Sequence, residues 1–140
     1  MNCHTSAEFP RQGDAKRRHD QMVIRGVDGK GAPTLRCSAC HQESNTADGH
    51  VPGAPDWGLA PLDMSWEGLG DKELCERLLD KHRNGNRLAK GLVIHMVNDP
   101  LVQWAWMPGP GRMPPAVGQQ AFHDLLEVWE INGAACPDRN

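Results

Sequence analysis

RCSACH, Arg36 to His41, sets two thiols and an imidazole within five residues, and the chemistry that uses them decides the fold. On a helix Cys37 and Cys40 are three apart and Cys37 and His41 four apart, so all three side chains leave one face within about one turn. That arrangement suits a porphyrin. The sulfurs add to its vinyl groups as thioethers while the imidazole reaches the iron, which is the C-x-x-C-H attachment pattern of haem c. Zinc is the competing chemistry, since a structural site takes four ligands as two close pairs and Cys37 with Cys40 supplies one. The second pair would be Cys3 with His4, or distant histidines, at no customary spacing. Redox use of the thiols, or none, completes the alternatives; haem is preferred.

The remaining composition agrees with a cofactor-ordered chain. At 140 residues one domain spanning 1–140 is expected, large enough to bury a core. With 15 basic and 18 acidic side chains the formal net charge is -3, so the broad positive field that grips nucleic acid is missing. No run approaches the roughly 20 apolar residues of a membrane span. Fifteen Gly and 11 Pro weaken regular structure, so long loops need something other than backbone ladders to order them. A flat apolar cofactor would serve. Strands are poorly supported, since no stretch sustains apolar alternation. The expected fold is mainly α, with short helices and long Pro-rich and Gly-rich loops packed around haem.

Along the chain, the polar text before Thr34 reads as turns, and Lys16-Arg17-Arg18 as a solvated loop. Thr34 is expected to N-cap a short helix carrying the motif. Residues 42–61 are turn chemistry broken by Pro52, Pro55 and Pro61. Helical text begins at Asp71, with Leu74, Cys75, Leu78 and Leu79 on one face, and stops at Asn84-Gly85. A second helix covers about Leu88 to Asn98, placing Leu88, Leu92, His95 and Met96 together before Asp99-Pro100. Phe122, Leu125, Leu126 and Trp129 form the clearest amphipathic stripe, closed by Asn132-Gly133.

The wider text carries a resemblance. CSACH resembles the haem site of class I c-type cytochromes. RQGD (11–14), RCSACHQ (36–42), VPGAPDWGLAPLDMSWEGL (51–69), ELCERL (73–78), NGNR (84–87), DPLVQWAWMPGPGR (99–112) and NGAACP (132–137) resemble a proteobacterial family of small, dihaem, cytochrome-like proteins sometimes labelled isoquinoline 1-oxidoreductase subunit. The resemblance implies a cytochrome c-like domain, a second C-x-x-C-H near the start, and a dehydrogenase as redox partner. Here the chain opens Met1-Asn2-Cys3-His4, which is what C-M-N-C-H leaves if translation is assigned to its internal methionine. The expectation is therefore a chain truncated at its N-terminus, with Cys3 as a haem-attachment residue and His4 as an axial ligand; the competing reading of Cys3-His4 is a frayed terminus with no role. Thioether attachment takes place outside the cytoplasm, so a periplasmic location is expected, with the export signal upstream.

An electron-transfer haem takes Met or His as its sixth ligand, and Met raises the potential relative to His. Met64, before Trp66, and Met113, in a Met-Pro pair, are the favoured candidates, although core packing is the usual fate of methionine. His95, on an apolar stripe, and His19, between the two sites and able to cap either iron, compete with them. His82 and His123 are expected to face water. Cys75 and Cys136 are plausible disulfide partners if the chain is exported. Trp57, Trp66, Trp104, Trp106 and Trp129 could pack on porphyrin or on protein.

The leading expectation is a periplasmic electron carrier working with a redox partner protein such as a dehydrogenase, and needing no substrate chemistry. A haem enzyme or sensor with an open sixth position ranks lower, for no catalytic constellation with useful spacing is present. A zinc-stabilised binding module is the third reading.

Overall fold

Glycine and proline cut this chain into short pieces, and the computed structural model, which describes residues 2–139, shows where they regroup. Two units form, one from Met1–Glu67 with Met107–Pro114, the other from Gly68–Trp106 with Pro115–Asn140. Reading Met1 as an internal methionine lies outside the described residues.

In the first unit β1 (Arg11–Gln12) pairs antiparallel with β2 (Arg17–Arg18), and β3 (Gly31–Ala32) with β4 (Leu35–Arg36). The Lys16-Arg17-Arg18 run thus lies partly in a ladder, exposed, with the Arg18 guanidinium 4.5 Å above the Phe9 ring. Its regular helix is limited to single 3-10 turns at Cys37–Ala39 and Leu62–Met64.

Polar bonds hold this unit together. The buried guanidinium of Arg25 donates to the carbonyls of Thr5, Ala7 and Ala60. Buried Thr5 donates to Glu67 at 3.0 Å. Backbone bonds from Ala60 to Cys3 (3.2 Å), Trp66 to His4 (3.1 Å) and Leu59 to Gly29 (2.8 Å) lace distant segments together. Gly31, at φ 89°, lies so close to Gly26 that a Cβ on Gly26 would stand 2.0 Å from its carbonyl oxygen. Only glycine fits that crossing.

The second unit holds α1 (Asp71–Leu79), α2 (Ala89–Asn98), α3 (Pro100–Gln103) and α4 (Gln119–Ile131). About a third of the chain is helical, so the architecture is mixed rather than mainly α throughout. The Glu73 carboxylate accepts from the Gly70 N–H at 3.2 Å, which places the N-cap at Gly70 and makes Asp71 the first helical residue. α1 stops at Leu79, short of Asn84. Asp80 captures the His82 N–H (3.0 Å) and the Arg83 side chain (3.1 Å), while buried Asn84 donates to the Leu78 and Arg87 carbonyls (2.7 and 3.0 Å). Short polar side chains compete with the helix ladder in this way.

α2 is led by Leu88, which is exposed rather than part of the stripe, and it buries Leu92. Asp99 then accepts from Leu101 N–H (2.9 Å) and Val102 N–H (3.3 Å), capping α3 with Pro100 at its first position. α4 packs on α2 and ends where Ala134 N–H bonds the Trp129 carbonyl at 2.8 Å. Its inner face carries Phe122, His123, Leu126 and Trp129, whereas Leu125 points outward. His123 does not face water. Its Nε2–H donates to Gln103 Oε1 at 3.2 Å beside Trp106. Trp104 and Trp106 lie in a 3-10 turn, so they do not share one direction as an extended segment would allow. Cys75 and Cys136 form a disulfide with Cα atoms 5.5 Å apart, joining α1 to the C-terminal segment.

Candidate functional site

The motif does not ride on the helix that Thr34 would cap. Leu35 and Arg36 pair in the β3/β4 ladder, and Cys37 N–H bonds the Lys30 carbonyl at 2.9 Å, which leaves one 3-10 turn for the thiols. Cys37 O accepts from Cys40 N–H (3.2 Å) and His41 N–H (2.9 Å). With three residues per 3-10 turn, Cys37 and Cys40 align on one side. Cys37 is half-buried and Cys40 exposed, and burial pushes the Cys37 thiol above its ordinary pKa.

His41 is held on two sides. Its ring lies flat against Trp57, centroids 4.5 Å apart and planes within 4°. Its Nδ1 meets the Pro52 carbonyl at 2.6 Å, and since a carbonyl oxygen only accepts, Nδ1 carries the proton and the neutral ring has its lone pair on Nε2. Burial pushes the His41 pKa down; the Pro52 bond opposes this, and the charges of His19 and Arg112 reinforce it. Neutral imidazole with its second nitrogen bonded to a carbonyl is the form in which histidine binds metals.

Cys3-His4 is built the same way. His4 stacks on Trp66 with centroids 3.4 Å apart and planes within 8°, and its Nδ1 donates to the Met64 carbonyl at 2.8 Å. Burial raises the Cys3 thiol pKa. Both Cys-His pairs belong to the first unit, and both indoles come from the segment 52–67.

Pro52 is itself fixed by its loop. Val51 exchanges bonds with Thr46 (Val51 N–H to Oγ1, 3.0 Å; Thr46 N–H to Val51 O, 3.0 Å), and Gly53 N–H donates to Asn45 Oδ1 at 2.9 Å. Arg112 donates to the Gly49, His50 and Pro108 carbonyls. The segment 42–61 is thus ordered by its own Asn and Thr side chains and by Arg112.

The other expected ligands separate. His19 lies beside His41, rings edge to face with centroids 6.1 Å apart. Met64 is buried and meets His4 through its carbonyl. Met113 is 73% exposed. His95 belongs to the second unit, where its Nδ1 lies 3.3 Å from Asp99 Oδ2. Trp57 and Trp66, candidates in sequence for packing on porphyrin or on protein, stack on the two imidazoles; the Pro52 carbonyl and buried Arg25 carried no local signal, because each acts across the chain.

The donor set fits haem c. Two thiols within four residues precede an imidazole with its lone pair on Nε2, and Ala54, Met64 and Pro108 are the buried apolar side chains among the first unit's described residues. The buried Trp66 Nε1–H, next to His4, has no acceptor among the described residues, as a donor facing a polar group of a cofactor would lack one. For zinc, no three His, Cys, Asp or Glu side chains among the described residues converge as a cage.

Comparison with family models, curated proteins and solved structures finds no match to this chain.

Proposed function

We propose that the chain is a periplasmic c-type haem protein that carries electrons, in a cytochrome c-like arrangement in which loops pack on the porphyrin. Cys37, Cys40 and His41 would hold the haem, the two sulfurs by covalent attachment and the imidazole at the iron; Cys3 and His4 would belong to a second site, to which this chain contributes one thiol. The bound iron would supply one-electron chemistry, cycling between two oxidation states. The protein's own residues orient the imidazoles. The observation that carries this reading is the duplicated device: a histidine directly after a cysteine, stacked on tryptophan, with Nδ1–H given to a loop carbonyl.

The disulfide of the second unit supports an oxidising compartment. No helix among the described residues is long and apolar enough to cross a membrane. A periplasmic dehydrogenase is the proposed redox partner, on the strength of the sequence resemblance. The zinc-module reading gains nothing from the ligand geometry.

The test is expression with the haem-attachment machinery. Covalent pigment that survives denaturation and solvent extraction is expected, with low-spin c-type bands in both redox states. A colourless protein sinks the proposal.

A further inference from the structure

Four side chains compete in sequence to oppose His41, and the fold brings one of them to it. The rings of His19 and His41 meet with centroids 6.1 Å apart and planes at 68°, while Trp57 takes a face of His41 and Pro52 its Nδ1. Met64 serves His4 through its carbonyl, Met113 is exposed, and His95 is paired with Asp99 in the other unit. We propose that His19 is the second protein ligand, with His41, of the haem iron attached at Cys37 and Cys40; this deepens the haem reading and rests on it.

The backbone around His19 is made for holding a ligand. Arg18 pairs with Arg11 in the ladder, and His19 N–H extends that pairing to the Pro10 carbonyl at 3.1 Å. On the other side Gln12 grips Asp20 twice, accepting its N–H at 3.2 Å and donating to Oδ2 at 3.1 Å. Both neighbours of His19 are therefore fixed, as a metal ligand requires. Its Nδ1 accepts from Gln21 N–H at 3.4 Å. A contact that long is weak, so moving the ring proton to Nδ1 and the lone pair to Nε2 costs little.

Two histidine ligands would give this haem a lower potential than methionine ligation would. The test compares the haem-loaded wild type with His19→Ala, His19→Met, Met64→Leu and Met113→Ala. Covalent haem is assayed after denaturation, spin state by ferric absorption and paramagnetic resonance, and the ferrous form with carbon monoxide. In His19→Ala, covalent haem is expected to persist while one low-spin centre becomes high-spin and binds one equivalent of carbon monoxide; added imidazole restores the low-spin signal. His19→Met should raise the potential of that centre, and the two methionine variants should keep its spectrum. His19→Ala that stays low-spin and silent to carbon monoxide overturns the assignment and leaves the haem reading intact. Should His19→Ala fail to mature, an unchanged potential in His19→Met overturns it. A wild type without covalent haem overturns both.

Discussion

His41 and Trp57 lie face to face, planes within 4°, and the imidazole cannot turn without losing both the indole and the Pro52 carbonyl. An aromatic pair of this kind contributes about 1 kcal/mol beyond its buried area. A double-mutant cycle of His41→Ala and Trp57→Ala, followed by urea unfolding of haem-free protein, should return a coupling near that value. The His4 and Trp66 pair should behave likewise. Simple additivity in both cycles would show that the stacks are incidental.

Arg25 is the polar centre of the first unit. Its buried guanidinium satisfies three carbonyls, and an unpartnered buried acceptor costs about 1–3 kcal/mol. Arg25→Met should therefore destabilise by roughly 3 kcal/mol or more. Arg25→Lys should recover only part of the loss, because an ammonium lacks the planar fork. Denaturant midpoints of the two variants provide the check.

Glu67 gives the fold an acid limb. Hydrogen bonds from the Ser6 N–H, the Ser6 hydroxyl and the Thr5 hydroxyl, helped by Arg11, hold its pKa down to about 2 against an ordinary 4.5. The folded value is depressed, so the contribution is complete above about pH 4.5 and is lost as pH falls through about 2. Melting temperature recorded against pH should decline over that window. Glu67→Gln should flatten the decline, and an unchanged slope would assign the acid sensitivity elsewhere.

The Cys75–Cys136 bridge spans a sequence separation of 61, for which loop-closure entropy gives about 4 kcal/mol. Replacing both cysteines with alanine should destabilise the second unit by up to that amount. Thiol titration of unfolded, unreduced, haem-free protein should find three free groups, Cys3, Cys37 and Cys40. Five would remove the bridge.

Helix positions were the most legible part of the fold. Periodicity placed α1, α2 and α4 within a few residues, since the 3.6-residue repeat is a local property. The boundaries went astray where side chains intervened. Asp80 and Asn84 ended α1 early, and the β3/β4 hairpin claimed Leu35 and Arg36 from the helix expected after Thr34. Leu125 and His123 exchanged faces relative to expectation, a rotation that depends on what α4 packs against.

By itself the sequence determined which groups could do the chemistry. Cys37, Cys40 and His41 are near neighbours in the chain, and covalent spacing alone keeps them together. Tertiary structure decided what surrounds them. His41 receives its proton acceptor from residue 52 and its stacking partner from residue 57, while His19 arrives from a separate hairpin. Every residue carries a carbonyl, so no residue type marks the one that will orient an imidazole; only the path of the loop selects it.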